Sequence, residues 1–385
     1  MNTFIAPAGL SGVVVADTSI GDVRGEEGFF HYRQFDATQL AEHRCFEDVW
    51  HLVLFGDFPT STWTDTVRTT LAVDPAIRDA VTSVLQQTPS ADVMSMLRTG
   101  VSVRGALVAD KPLWDSDDPV KRESALGTAG FMPWLVAAAH AVRQGEQPRE
   151  PRPELGYVGN YLWMVTGQVP DGDAIAALSR YLCLTVDHGF NASTFTARVV
   201  ASTGADLSAC VVAAIGALSG PLHGGAPSRA LDALDEIGTA DRAESWARER
   251  LAAGERLMGF GHAVYRGLDP RSELLKRTAR ELGGDTAQLA LQVEDAVVRV
   301  LDEYKPDRPL RANVEYYAGV VMQSCGLPRE LFTPTFTMSR TVGWTAHILE
   351  QSGGTKIFRP SARYVGPVAP QPLPADQQQD QPGPV

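Results

Sequence analysis

From about residue 37 onward the chain repeats one pattern, apolar residues spaced three and four apart. ATQLAEHRCFEDVWHLVLFG (37–56), ADVMSMLRTGVSVRGAL (91–107), DGDAIAALSRYLCLTVDHG (171–189) and AESWARERLAAGERLMG (243–259) all carry it. That spacing gathers apolar side chains on one face of an α-helix. No alternation of strands with helices accompanies it, which argues against a parallel-sheet α/β fold. Only the start differs. GLSGVVVADTSIGDVRGEEGFFHYRQFD (9–36) is rich in Val, Phe, Tyr and Gly, with turn residues between its apolar runs, and reads as a short β-hairpin or small sheet. The expected fold class is therefore mainly α, with a small N-terminal β-element.

The chain's 385 residues suffice for one large domain or two ordinary ones around a substantial core. With 34 Lys and Arg against 46 Asp and Glu, the formal net charge is −12, which opposes general nucleic-acid binding. An acidic chain that binds an anion must do so through particular arginines. Cysteines 45, 183, 210 and 325 lack the close pairing of a zinc site or a disulfide framework, and buried reduced thiols are expected. MNTFIAPAGL has neither the basic start nor the apolar core of a signal peptide. The longest apolar run, ACVVAAIGAL (209–218), is too short for a membrane span and reads as a buried helix. A cytoplasmic protein, not associated with a membrane, is expected. VAPQPLPADQQQDQPGPV (368–385) is Pro- and Gln-rich, and a disordered tail is expected there.

Helix punctuation positions the polar clusters. A helix from about Ala205 should stop at Ser219-Gly220-Pro221, and another should restart with Pro227 in its first turn. His223, in GPLHGGAP (220–227), then sits in a short connection between two helices. His262 lies in GFGHAVYRGLDPR (259–271), again between glycines. Asp269 suits an N-cap and Pro270 the first helical position, which leaves Arg271 in a first turn where a cation opposes the macrodipole. An anion between that arginine and the helix N-terminus would suit both.

A third histidine, His188, is in DHGFNAS (187–193), and Glu315 is the lone carboxylate in LRANVEYYAGVVM (310–322). Arg340 falls on a helix starting near Thr335 and ending at QSGG. Met338, Val342, Thr345 and Leu349 form its expected core stripe, with Arg340, Trp344 and His347 on another face. Arg359 follows in KIFRPSARYVGP (356–367). The three histidines lack the close pair that metal sites often contain, and no metal is expected. Serine-hydrolase elbow, P-loop and dinucleotide fingerprints are also missing. Taken singly, each cluster also fits an ordinary loop histidine, a solvated arginine or a charge-paired glutamate.

Together, DHGFNASTFTARVVAST, GPLHGGAP, MGFGHAVYRGLDPR, NVEYYAG and KIFRPSARYVGP resemble, in order, the signature segments of citrate synthases. The stretch from Gly9 to Thr60 is similar to the opening of the bacterial members, and the likeness runs from about residue 9 to 367. The resemblance implies condensation of acetyl-CoA with oxaloacetate and hydrolysis of citryl-CoA. It implies that His223 hydrogen-bonds the thioester oxygen, that His262 polarises the oxaloacetate carbonyl and that Glu315 removes the methyl proton. His188, Arg271, Arg340 and Arg359 would bind the oxaloacetate carboxylates, with Arg359 supplied by the partner of a homodimer. Leu257, Met258, Gly259, Phe260 and Gly261 would meet CoA through their backbone, joined by Arg266 and Lys356. No cofactor is implied, because acetyl-CoA is a substrate.

The implied architecture is a large helical domain (1–223 and 325–367) with a small one inserted between (224–324), closing on oxaloacetate. Two positions depart from the family pattern. Glu315 stands where aspartate is usual, and Gly189 stands where DHE is the commoner triplet, so a partner of His188 is expected to be lost. A 2-methylcitrate synthase using propionyl-CoA and a non-catalytic homologue that binds CoA or a dicarboxylate remain alternatives.

Overall fold

The computed structural model describes residues 4–224, 226–262, 265, 267–307 and 309–372, with backbone only at 226–229. Arg266 and residues 373–385 of the expected tail lie outside them, and residues 368–372 are exposed coil. Near the N-terminus β1 (Gly21–Arg24), β2 (Phe29–Tyr32) and β3 (Phe35–Asp36) form one antiparallel sheet in the order β1-β2-β3. Gly21 pairs with Tyr32 and Arg24 with Phe29, so β2 alternates and buries Phe30 and Tyr32 on one face. Their rings meet the segment that carries His188. Tyr32 donates its hydroxyl to Asp187 O at 3.2 Å, and the Phe30 ring centroid lies 5.8 Å from that of His188.

Ten helices follow: α1 (Ala37–His43), α2 (Phe46–Phe55), α3 (Trp63–Leu71), α4 (Pro75–Leu85), α5 (Val93–Leu107), α6 (Asp118–Arg143), α7 (Gly156–Thr166), α8 (Gly172–Thr185), α9 (Ala192–Ala201) and α10 (Leu207–Leu218). Next come α11 (Ala226–Ile237), α12 (Ala243–Ala252), α13 (Pro270–Leu282), α14 (Asp285–Tyr304) and α15 (Val314–Ser324), and then α16 (Phe332–Ser352). The mainly α expectation is met. Aspartate or asparagine side chains start many of these helices by accepting first-turn N–H groups, as Asp92 does for α5 and Asp206 for α10.

α6 is, among the described residues, the one helix long and apolar enough to cross a membrane, yet 83% of its most apolar window is buried inside the fold. It packs against α16, and α16 in turn is covered by α2, α8, α9 and α10. The stripe expected on α16 is therefore corrected. Arg340, Trp344 and His347 are as buried as Met338 and Val342, at 2% exposure or less, because helices surround α16 on every side. Of the cysteines, 183, 210 and 325 are buried as expected, whereas Cys45 is exposed just before α2. α11 to α15 pack chiefly on one another, and α13 and α15 also lean on α8.

Candidate active site

Three helix N-termini bring polar side chains to one place by the same local device. Asn191, Asp269 and Asn313 cap α9, α13 and α15, and two residues after each cap stand Ser193, Arg271 and Glu315. Each cap accepts backbone N–H groups that the first turn leaves without partners.

Ser193 fixes His223. Its amide N–H lies 3.3 Å from His223 Nε2 and its hydroxyl 2.8 Å from the same atom. An amide hydrogen cannot turn away, so Nε2 accepts and the ring carries its proton on Nδ1. Burial, reinforced by Arg340, pushes the imidazole pKa down to about 4. His262 is fixed the same way from the other nitrogen. The Tyr265 N–H donates to Nδ1 at 3.0 Å, and Arg271 Nη2, which can only donate, meets Nε2 at 3.0 Å. Each ring nitrogen thus faces a donor. Burial, then the Arg271 charge, holds His262 at about 4, against the pull of Asp269.

His188 meets the Tyr265 hydroxyl at 3.0 Å, and its ring centroid is 6.0 Å from that of His262. Burial and the guanidinium groups of Arg271 and Arg340 keep it neutral, well below the ordinary histidine range. Arg340 is buried beneath the cleft, where Nε donates to Thr185 O at 2.9 Å and the guanidinium lies 4.6 Å from the Phe336 ring centroid. Glu315 has no fixed partner for its carboxyl among the described residues. A carboxylate near a helix N-terminus is favoured by the macrodipole. Burial outweighs that and the attraction of Arg271 and Arg340, so the carboxyl pKa is pushed up to about 7. The cleft thus combines neutral imidazoles, two fixed cations and one carboxyl poised near neutrality. Groups tuned in this way suit proton transfer beside a bound dianion.

A buried chain of charges supports the site from behind. His347 Nε2 donates to Asp187 Oδ1 at 3.1 Å, Arg198 donates to His347 Nδ1 at 3.0 Å, and Arg198 pairs with Glu350 at 2.6 Å. Burial opposes the Asp187 charge, yet His347 and Arg340 hold its pKa below the usual carboxylate value. Gly189 adopts the left-handed conformation, φ +63°, and its N–H donates to Asp187 Oδ2 at 3.1 Å.

Two cavities open beside His262. One, of about 310 Å³, is lined by Gly261, Tyr265, Asp269 and Arg311, and the other, of about 410 Å³, by Leu257, Phe260, Arg256 and Lys305. The 257–261 loop that borders them is tied to the α15 cap. Asn313 N–H donates to Gly259 O at 2.9 Å, and Asn313 Nδ2 donates to Gly261 O at 2.9 Å. His188, His223, His262, Arg271, Glu315 and Arg340 lie around this one cleft. Lys356 and Arg359 do not join them, being exposed on the coil after α16. Arg256 and Lys305 escaped the sequence reading as site residues, His347 was named only by its helix face, and Asp187, Ser193 and Arg198 lay inside a quoted motif without being singled out. Tyr265 lay inside a quoted motif without being singled out.

Among the described residues no group of three or more His, Cys, Asp or Glu is arranged to hold a metal. The family model for the citrate synthase C-terminal domain matches residues 9–361. The chain belongs to the citrate synthase family. A citrate synthase of Synechocystis is 35% identical over 93% of this chain and 90% of its own length. A 2-methylcitrate synthase of Shewanella oneidensis is 34% identical over 93% and 94%. Among solved structures, the citrate synthase of Thermoplasma acidophilum in ternary complex with carboxymethyl coenzyme A and oxaloacetate superposes with a TM-score of 0.85 at 27% identity, covering 96% of this chain and 98% of that one. Citrate synthases are transferases of the tricarboxylic acid cycle that condense acetyl-CoA with oxaloacetate, and this chain is an enzyme of that class.

Proposed function

We propose that the cleft condenses acetyl-CoA with oxaloacetate and hydrolyses the citryl-CoA formed, with the roles divided as follows. Glu315, as carboxylate, takes a proton from the acetyl methyl group. His223 donates from Nδ1 to the thioester oxygen as the enolate develops, since a weakly acidic carbon needs both a base and an oxyanion donor. The enolate carbon attacks the oxaloacetate carbonyl, whose oxygen receives a proton from His262 Nε2. Water then cleaves the thioester to citrate and CoA. Arg271 and Arg340 match the dianion with forked donors, and His188 adds a neutral contact. No resident cofactor or metal takes part. One observation carries this reading. Two histidines are each tied by a backbone N–H on one ring nitrogen, beside a carboxyl raised to about 7.

The 257–261 loop and Lys356 would hold CoA, with Arg256 and Lys305 available to its phosphates. Residues 224–324 would form the small domain, closing on 1–223 and 325–367 when oxaloacetate binds, since its ligands come from both sides. The working unit would be a cytoplasmic homodimer in which Arg359 completes the partner's site. Two features support the dimer. Arg359 has no hydrogen bond or ion pair within the described chain, and a depression of about 530 Å³ on α5 and α10 is floored by Gly105, Ala106, Ala209 and Ala213. Small residues there would let helices of a second copy approach closely.

The test is thiol release with oxaloacetate plus acetyl-CoA or propionyl-CoA, beside a Glu315→Gln variant. Release that needs oxaloacetate and collapses in the variant supports the assignment, and the better donor decides between citrate and 2-methylcitrate. The Shewanella relative keeps the second product in play, because one methylene discriminates by only ~1–3 kcal/mol. Oxaloacetate binding without release from either donor would favour a non-catalytic homologue.

A further inference from the structure

We propose that His347 is a positioning residue for oxaloacetate binding: through the Asp187 carboxylate it fixes His188 relative to Arg340. This rests on the reading of His188 and Arg340 as ligands of the dianion. Arg340, Gly343 and His347 follow one another on α16 at intervals of three and four residues, which places them on one face of the helix. The segment from Thr185 to Asp187 runs along that face in step. Arg340 Nε donates to Thr185 O at 2.9 Å, and His347 Nε2 meets Asp187 Oδ1 at 3.1 Å. Between them Gly343 admits Val186 O so closely that a Cβ would stand 2.1 Å from it. His188 is the next residue along the chain.

Hydrogen bonds fix how the His347 ring is used. Arg198 Nη1 can only donate and lies 3.0 Å from Nδ1, so Nδ1 accepts and Nε2 carries the hydrogen that Asp187 Oδ1 receives. Arg198 is held in turn by Glu350 at 2.6 Å and by Gln351 Oε1 at 3.0 Å. The Phe190 ring stands edge-on to the imidazole, 5.6 Å between centroids. The second Asp187 oxygen, Oδ2, accepts the Gly189 N–H at 3.1 Å, and the Asp187 carbonyl accepts the Tyr32 hydroxyl at 3.2 Å. One carboxylate thus closes a tight turn around His188, and His347 orients that carboxylate from α16.

Packing alone does not call for a histidine here. His347 is fully buried, as are Asp187 and Arg198 at 2% exposure or less, and a buried polar group costs stability unless it is hydrogen-bonded. A leucine would fill the space without that demand, but it would leave the Asp187 carboxylate one donor short. Burial opposes the Asp187 charge, and His347, then Arg340 and the Gly189 N–H, offset it. The influence of His347 is confined to the oxaloacetate side of the cleft. His223 is fixed by Ser193, whose hydroxyl accepts from Trp344 Nε1 at 3.3 Å, and the 257–261 loop is tied to Asn313.

The test compares His347→Asn with His347→Gln. By side-chain length, asparagine sets an acceptor near the Nδ1 position, facing Arg198, and falls short of Asp187. Glutamine carries an amide N–H out to the Nε2 position and so restores the donor to Asp187. Oxaloacetate affinity, read by calorimetric titration, should fall about tenfold in His347→Asn and stay within about threefold of the parent in His347→Gln. KM for oxaloacetate should follow the same order, while KM for the acyl-CoA holds in both. Equal losses in the two variants overturn the proposal, as does a rise of both KM values together. Nitrogen-15 spectra of the labelled parent chain, with His347 assigned through its ring couplings, need no substitution. The proton should sit on Nε2, and a proton on Nδ1 overturns the proposal. Variants that shift oxaloacetate affinity as expected, in a protein releasing no thiol from either acyl-CoA, would refute the proposed function and leave the positioning role standing. A parent chain that binds no oxaloacetate would overturn both.

Discussion

Asp269 grips Arg271 with both carboxylate oxygens: Arg271 Nε donates to Oδ1 at 3.0 Å and Nη2 donates to Oδ2 at 2.9 Å. The same carboxylate caps α13 through the Arg271 N–H and accepts the Val314 N–H at 3.1 Å, so it joins the first turns of α13 and α15. Burial works to raise its pKa, but the guanidinium holds it below the ordinary carboxylate value. The anion that the sequence asks for beside Arg271 is thus partly supplied by the helix's own cap.

Asp269→Asn should therefore destabilise the fold at neutral pH by about 3–5 kcal/mol, since it leaves a buried guanidinium uncompensated. Urea unfolding of the variant beside the parent chain measures this. A midpoint equal to that of the parent would mean that Arg271 finds another counter-charge.

Glu315 should impose opposite pH trends on activity and stability. Burial raises its pKa from 4.5 to about 7 against Arg271 and Arg340. A base must be ionised, so kcat/KM should fall about tenfold per pH unit below 7 and level off above it. Between pH 4.5 and 7 the folded chain keeps a proton that the unfolded chain has released. Stability from this group is hence highest below that window and declines as pH rises through it. Glu315→Gln, which cannot ionise, should gain stability relative to the parent by roughly 3 kcal/mol between pH 4 and pH 8. Denaturant curves at both pH values give the difference, and a gap that stays constant with pH would contradict the raised pKa.

The parts of this fold that depend on local rules were readable in the sequence. The Asp269 cap with Pro270 at the first helical position, the break at Ser219 to Pro221 and the N-terminal sheet all follow from neighbouring residues. α16 did not, because stripe reasoning assumes one face in solvent and this helix has none along most of its length. In the site, His223, His262 and Glu315 stand in motifs whose local chemistry is visible. The chain linking Asp187, His347, Arg198 and Glu350 joins residues up to 160 positions apart, and no spacing rule announces it.

Gly189 tests whether the departure from DHE is built into the backbone. At φ +63° a side chain is strained by about 1–2 kcal/mol, so Gly189→Glu should lose that much stability despite restoring the commoner triplet. The strain falls beside Asp187 and His188, and KM for oxaloacetate should rise severalfold while KM for the acyl-CoA holds. Steady-state kinetics with each substrate varied in turn would expose the split. An unchanged KM for oxaloacetate would show that the loop absorbs the side chain.

Gly343 governs the same loop from α16. A Cβ there would stand 2.1 Å from Val186 O and 3.0 Å from Val186 C, and backbone atoms cannot swing aside as a flexible side chain can. Asp187 and His188 follow directly in sequence, and Arg340 lies one turn earlier on the same helix. Gly343→Ala must therefore push the His188 segment away from Arg340, at a cost of about 1–3 kcal/mol typical of an overpacked core. Oxaloacetate affinity should drop at least tenfold, whereas binding of CoA alone should hold, since the 257–261 loop is anchored on Asn313 rather than on α16. Calorimetric titration with each ligand separates the two effects. If the alanine variant binds oxaloacetate as the parent does, the close approach of α16 to Val186 does not set the position of His188.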